Sequence, residues 1–417
     1  MNATTSFRVS VFALVCSAAA IACSASSENG GFEPSGTGGG SSGSGGDLNI
    51  STGSGNSGNS GPLTEEPPCP SQDADPSNTD DVDMDGETAA DGDCNDCTWQ
   101  MNRGAYDFIG NNIDEDCNGA PDDTPVECDG TIPLDSADPF QGAAAMGLCK
   151  QSDGLSWGVV GGAYVRSDGT PLTQPELAIG RGILNAFGPN VFPQEGVKLL
   201  ALSSGTARQP SDPGYATVGG TWKDFNPHGP PPGYPKESPS CPGIVTGEPY
   251  DSAGLQIEIK TPTNAKSLAF NLNFYTYEFP GYICSEFNDF FVALLTPTLS
   301  GQPDGNISFD SQGNTISVNA GFLEVCYPQM AGGKNFPCML GPTELMGTGY
   351  DEQPNGSAAT GWLQTTAPVE APGGTISLLF TTWDSGDGIL DSTVLLDNFT
   401  FHVEEAPTET IPVPEPK

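Results

Sequence analysis

Three aspartates stand at alternate positions, Asp81, Asp83 and Asp85, and Gly86 follows at once. Short carboxylates at this spacing aim successive oxygens at one point, and the glycine lets the chain turn sharply around it. Hard oxygen ligands of this kind suit calcium better than a transition metal. Asp93 and Asp96 come soon after, and a second group, Asp114, Asp116 and Asn118, runs into another glycine, Gly119. Cys94 and Cys117 sit beside the two groups, where a disulfide between them would hold the groups together. Between Asp80 and Asp123 there are 14 carboxylates and a single base, Arg103. No long Glu closes the first loop and no amphipathic helices flank it, so this is a calcium-type Asp loop without an EF-hand.

The stretch from Asp81 to Gly119 resembles the MopE-type metal-binding repeat. Asp81, Asp83, Asp85, Gly86, Asp93, Cys94, Asn95, Asp96, Gly104, Ala105, Asn112, Asp114, Asp116, Cys117, Asn118 and Gly119 carry the match. The resemblance implies a metal site at Asp81, Asp83, Asp85, Asp93, Asp96, Asp114, Asp116 and Asn118. The family is associated with copper, but no His or Met cluster accompanies these residues, and Ca2+ is the expected ion. Cys97 is extra to the pattern, with Cys69 or Cys128 as its partner.

Charge and cysteine content bound the rest. With 13 Lys+Arg against 53 Asp+Glu the chain carries −40, which repels nucleic acid and anionic lipid and attracts divalent cations. Twelve Cys occur. Leaving aside Cys16 and Cys23, which fall in the N-terminal segment read below, ten remain, enough for up to five disulfides in an exported chain. The 55 Gly and 38 Pro, with no long helical periodicity, point to an all-β chain with many turns.

The N-terminus reads as an export signal. Val9 to Ala22 is apolar, 14 residues long and preceded by Arg8. That is shorter than the about 20 residues a membrane-spanning helix needs, and it suits a signal core. Ala20-Ile21-Ala22-Cys23 resembles a lipobox, which implies cleavage after residue 22 and lipidation of Cys23. Ser24 follows rather than Asp, and in a Gram-negative cell this favours the outer membrane or cell surface. From Ser24 to Gly61, 24 of 38 residues are Gly or Ser. Such a segment is expected to be a disordered tether spanning roughly 35 Å. The expected organisation is thus a signal at 1–22, lipidated Cys and linker at 23–72, and the acidic module at 73–127. A β-domain at 128–405 and a disordered Pro-rich tail at 406–417 complete it.

Within the β-domain, Leu268, Phe270, Leu272 and Phe274 alternate along one strand face, and that parity continues to Thr276 and Glu278. Leu395, Phe399, Phe401 and Val403 read as one face of another strand, which Asp397 would share. Two carboxylates at core-facing parity need a cation, a base or a hydrogen-bond cage, because burying an unpaired charge costs several kcal/mol. Asp384, Asp387 and Asp391 surround two glycines between these strands, and Asp289 precedes the apolar run Phe290–Leu295. Glu278, Asp289, Asp384, Asp387, Asp391 and Asp397 are therefore a candidate second metal or carboxylate cluster.

These same segments carry a second resemblance. FNLNFYTYEFPGYICSEFNDFFVALL, TISLLFTTWDSGDGILDSTVLLDNFTF and, upstream, GRGILNAFGPNVFPQEGVKLLALSSGTAR are similar to the choice-of-anchor L domain. The similarity runs from about Asp138 to Val403, with Thr276-Tyr277 replacing the commoner Ser-Glu. It implies an extracellular β-domain, here a single jelly-roll-like β-sandwich, and no particular activity.

Catalytic signals are sparse. The two His, His228 and His402, have no Ser or Cys nucleophile beside them in sequence, and Ser203-Ser204-Gly205 lacks the spacing of a nucleophile elbow. No phosphate loop or dinucleotide fingerprint occurs. The expected function is a non-catalytic, calcium-binding, adhesion-type surface lipoprotein. It would meet the membrane through its lipid and bind an extracellular protein or glycan. The alternatives are a carbohydrate-binding or glycoside-cleaving domain, with Glu278 and Asp289 or Asp397 as the carboxylate pair, and a structural envelope protein without a soluble ligand.

Overall fold

The alternation in Ser267–Thr276 separates two apolar layers. Leu268, Phe270, Leu272 and Phe274 enter the main core, while Tyr275 joins a second cluster on the opposite face. The whole strand is buried on both faces. The computed structural model describes residues 61–122, 128–174, 176–219, 223, 227–302, 304–352 and 356–413. The expected signal at 1–22, Cys23 and nearly all of the Gly/Ser stretch lie outside the described residues.

The described chain is all-β and antiparallel. In order, the strands are β1 (Gly158–Val165), β2 (Arg181–Leu184), β3 (Leu199–Ser203), β4 (Pro249–Lys260), β5 (Ser267–Thr276), β6 (Phe290–Thr296) and β7 (Ile316–Ser317). There follow β8 (Gln329–Ala331), β9 (Lys334–Phe336), β10 (Ala358–Ala359), β11 (Leu363–Pro368), β12 (Thr375–Ser385), β13 (Ser392–His402) and β14 (Glu409–Pro412). One sheet has the order β1-β4-β12-β6-β7. The other runs β14-β11-β5-β13-β3-β2, with β10 added on β5, and β8-β9 form a separate hairpin. The main core takes side chains from both large sheets, and Phe270 on β5 meets Phe380 on β12 edge-on at 5.1 Å between centroids. This is the sandwich expected from alternating strands in a long chain rich in turns. No described helix is long and apolar enough to cross a membrane.

A bulge changes the reading of β13. Its pairing with β5 shifts register between Asp397 and Thr400, and Asn398 takes a left-handed φ of 51°. The extra residue reverses parity. Leu395 therefore packs in the second cluster, whereas Phe399 and Phe401 pack in the main core. Asp397 belongs with Leu395 rather than with the two phenylalanines.

All ten described cysteines are paired: Cys69–Cys97, Cys94–Cys117, Cys128–Cys149, Cys241–Cys284 and Cys326–Cys338. The expected Cys94–Cys117 bridge is present, and Cys97 takes Cys69. That bridge, together with packing of Leu63 against Met101 and Ile113, draws residues 61–72 into the acidic module rather than the tether. Asn111 Nδ2 donates to Leu63 O at 3.1 Å and Gln100 Nε2 to Gly61 O at 3.1 Å.

The described residues form one compact unit. The acidic module docks on the β4–β5 turn, where Asn264 Oδ1 accepts from Tyr106 N at 2.8 Å and Thr263 Oγ1 donates to Asn102 Oδ1 at 2.7 Å. The C-terminal stretch also departs from the expected disordered tail. β11 would otherwise leave an open edge, and Glu409–Pro412 pairs with it as β14. Thr365 and Thr410 hydroxyls meet there at 2.9 Å. Pro412 is tolerated because an edge strand leaves one side of its backbone unpaired.

Candidate cation sites

The acidic module has little regular structure, only a three-residue 3-10 turn at Ala89–Asp91. Its shape comes from aspartates that cap their own loops. Asp81 accepts from Met84 N at 2.7 Å and Gly86 N at 3.2 Å. Asp114 repeats the device, accepting from Asn118 N at 3.0 Å and Gly119 N at 2.8 Å. Gly86 and Gly119 both take left-handed φ, 100° and 93°, which a side chain would strain.

Three further carboxylates converge between these loops. Ligand oxygens of Asp83, Asp93 and Asp96 lie within 4.8 Å of one another, as do those of Asp81, Asp83 and Asp85. Each member of the first trio uses one oxygen to hold the backbone. Asp83 accepts from Asp85 N at 3.1 Å, Asp93 from Asn95 N at 2.8 Å, and Asp96 from Val82 N at 2.9 Å. The other oxygen of each, Oδ2 in all three, is buried with no hydrogen-bond partner. Asp93 is only 6% exposed and Asp96 0%. Two like charges about 4 Å apart repel by roughly 4 kcal/mol at an effective dielectric near 20. Three converging carboxylates, each with a buried oxygen lacking a partner, thus require a proton or a cation. Burial first, then the neighbouring Asp85, pushes Asp83 up to about 7; burial does the same for Asp93, to about 7, and for Asp85, to about 6.

The donor set is all oxygen, which fits a calcium ion and offers nothing soft enough to favour copper. Cys94 and Cys117 stand close to Asp93, but their sulfurs are joined to each other and are not thiolate ligands. The second expected group does not reach the trio. Asp114 is spent on its own turn, and Asp116 pairs with Lys150 at 3.0 Å. Asn118 uses its side chain to accept from Ala120 N at 2.9 Å. The chain brings Asp81, Asp83, Asp85, Asp93 and Asp96 together and leaves Asp114, Asp116 and Asn118 as a neighbouring scaffold.

The second candidate cluster closes one end of the sandwich. Asp251 lies on β4 and Asp384 on β12, with Asp289 just before β6, all in one sheet. Glu278 follows β5 and Asp391 precedes β13 in the other. All five are buried. Ser385 N and Ser392 Oγ donate to the two oxygens of Asp289 at 2.9 and 2.7 Å. Gly219 N donates to Asp391 at 3.3 Å, and a side chain at Gly205 would overlap that carboxylate. Lys223 Nζ donates to Ser203 O at 2.7 Å and Asp251 O at 2.5 Å. Neither oxygen of Asp384 makes a well-formed hydrogen bond, though Ser204 and Asp289 lie within reach of it, and Glu278 has none on Oε2. The Ser204 hydroxyl, committed to Ser392 O at 3.2 Å, lies near enough to Asp384 to hold its pKa down somewhat. Burial, followed by repulsion from Asp384, raises Glu278 to about 9; burial raises Asp384 to about 8 and holds Asp289 and Asp391 well above the usual range.

Asp387 stands at the rim of this plug, on the β12–β13 turn, and its charge is felt by Glu278. Asp397 is not part of it. It lies six residues along β13 from Asp391, about 20 Å at strand rise, so the two cannot converge. There Asp397 accepts from Gln194 N at 2.5 Å and Asn398 N at 2.6 Å. Asp251 and Lys223 escaped sequence reading because neither stands in an Asp-rich run.

Glu278 is 2% exposed, and Asp289 and Asp397 are 0% exposed, so no pair among them faces a glycan in solution. His228 lies 3.6 Å from Glu176 and His402 3.0 Å from the Thr400 hydroxyl. A separate open groove of about 620 Å³ is lined by Trp362, Phe322, Glu324, Glu344, Asn190 and Gln194 among others.

No family model matches this chain, and no curated protein or solved structure matches it either.

Proposed function

We propose that this chain is a lipid-anchored, non-catalytic surface protein whose acidic module binds calcium and presents the β-sandwich to an extracellular partner. The observation that carries the calcium reading is the trio of orphaned Oδ2 atoms on Asp83, Asp93 and Asp96. A divalent ion there relieves the mutual repulsion of the three carboxylates and gives each buried oxygen a partner. The lipobox-like Ala20–Cys23 and the Gly/Ser-rich stretch support surface display. The resemblance to the MopE-type repeat and to the choice-of-anchor L domain agrees with an exported, metal-dependent interaction module.

Calorimetry on the purified chain tests this reading. One or more calcium ions per chain, with binding lost in Asp93→Asn, is the expected result. An ion present at 100-fold its Kd stabilises the fold by about 2.7 kcal/mol, which a thermal scan detects. No binding heat and no thermal shift at millimolar calcium removes the calcium reading. Lipid labelling that persists in Cys23→Ser removes the anchor.

A second reading, carbohydrate binding, is favoured by the Trp362 groove, where a half-buried indole and two glutamates could stack and hydrogen-bond a sugar. Retention on a glycan array that disappears in Trp362→Ala supports it; no retention on any glycan removes it.

A further inference from the structure

The groove beside Trp362 does not end where its aromatic wall ends. A second, more open depression of about 280 Å³ adjoins it, and Gly321 and Glu324 line both. Gly321 has no side chain to close the passage, and its N–H is held by Asp310 Oδ2 at 2.9 Å. Glu324 Oε2 accepts from Met339 N at 2.9 Å, which fixes that carboxylate at the junction. The two depressions therefore make one channel with two kinds of wall. In the first part the rings are anchored from behind. Trp362 packs against the second apolar cluster and Phe322 against the main core, yet both stay partly exposed. Phe192, on the same wall, is 57% exposed. Rings held this way offer flat apolar faces at little further cost in rotamer freedom. The second part is polar, with Gln312, Asn335 and Lys334. Lys334 Nζ meets the Cys241 sulfur at 3.6 Å and forms no ion pair among the described residues.

Charge and backbone decide between occupants. Glu324 and Glu344 line the first part and Lys334 the second. A polyanion would meet two carboxylates on a chain that carries −40, and a polycation would meet Lys334. A hydroxyl-rich chain without charge can donate to the carboxylates and accept from the ammonium. An extended peptide would add as a strand to β14, whose last residues line the groove. Val413 N donates to Trp362 O at 2.9 Å, so Val413 faces β11. Pro412, one residue earlier, faces the open edge and has no N–H to offer a new strand. We infer that this channel binds a linear oligosaccharide of uncharged sugars. Its sugar rings stack on Trp362 and Phe322, and its hydroxyls bond beyond Glu324 to Gln312, Asn335 and Lys334. The inference rests on the carbohydrate reading of the groove and specifies its ligand as a neutral chain lying across both depressions.

Titration calorimetry on the full chain tests it with neutral disaccharides and hexasaccharides of glucose, N-acetylglucosamine, mannose or galactose. Oligogalacturonate serves as the polyanion and chitosan oligomers as the polycation. At least one neutral hexasaccharide should bind, about tenfold or more tighter than its disaccharide. The double change Gln312→Ala, Asn335→Ala, at exposed positions beyond the junction, should remove most of that gain and leave the disaccharide unaffected. Trp362→Ala should weaken both ligands; if that variant does not fold, Phe192→Ala at the exposed ring replaces it with the same expectation. A hexasaccharide that binds no tighter than its disaccharide, an unchanged gain in the folded double variant, or binding confined to charged oligomers overturns the inference while the carbohydrate reading stands. No binding of any saccharide, with or without capture of peptides from an array, removes both.

Discussion

The Asn102 side-chain amide donates to Asp85 Oδ2 at 2.7 Å. Its oxygen accepts from Thr263 Oγ1 in the sandwich, also at 2.7 Å. One side chain therefore joins the aspartate loop of the acidic module to the β4–β5 turn. Asn102 is itself 0% exposed, so it has no water to exchange these partners with. Replacing it by Ala leaves the Asp85 oxygen and the Thr263 hydroxyl without partners, at about 1–3 kcal/mol each if they stay buried. Asn102→Ala should lower both calcium affinity and the melting temperature. Normal calcium affinity in this variant would show that the loop is shaped without help from the sandwich.

The Cys94–Cys117 bridge acts at the same place. It lies beside Asp93 with a sequence separation of 23, and Cys94 N donates to Cys117 Sγ at 3.1 Å. Bridges of this loop size contribute about 2–4 kcal/mol to stability. The double change Cys94→Ala, Cys117→Ala should weaken calcium binding more than it weakens the sandwich, because the sandwich keeps its other bridges. Differential hydrogen exchange checks this: amides of residues 81–97 should lose protection while β5 and β13 keep theirs.

Protons compete with the ion at the first site. Asp83 and Asp93 both titrate near 7, raised mainly by burial, and a metal ligand must be ionised. Calcium affinity should fall by at least about tenfold between pH 8 and pH 6, with uptake of the ion releasing protons. Calorimetry in buffers of different ionisation heat measures the proton count directly. An affinity independent of pH over that range would mean the trio is ionised without the ion.

Asp397 predicts a pH effect with no metal involved. Burial raises its pKa to about 7, against 3.8 for an ordinary aspartate, despite backbone hydrogen bonds from Gln194, Asn398 and Glu195. A folded pKa above the unfolded one means the native state holds the proton more tightly. The resulting stability is complete below about pH 4 and is lost as pH rises through about 7. In calcium-free buffer, Asp397→Asn should flatten the fall in melting temperature between about pH 5 and pH 8, even if the variant is less stable overall. Equal slopes in the two chains would contradict this.

Sequence pattern reached the sheets more easily than the sites. Strict alternation in β5 identified its inward residues, because a period of two survives wherever the strand is unbroken. The same logic failed in β13, where the bulge at Asn398 moved Asp397 to the other face without leaving a glycine or proline as a sign. Local spacing also found Asp81, Asp83 and Asp85, since one turn determines their convergence. It could not say that Asp93 and Asp96 would complete the trio while Asp114 and Asp116 would not. That choice depends on Lys150, distant in sequence from Asp116, and on the turn that Asp114 caps. Asp251 and Lys223 were out of reach for the same reason: their partners are brought together by the packing of the sheets.

The account rests most heavily on an ion among three oxygens. An anomalous difference map from crystals of this chain grown with millimolar calcium addresses it most directly. The expected result is a peak bonded to Oδ2 of Asp83, Asp93 and Asp96 at about 2.3–2.6 Å. A well-ordered acidic module with no peak among those oxygens would contradict it.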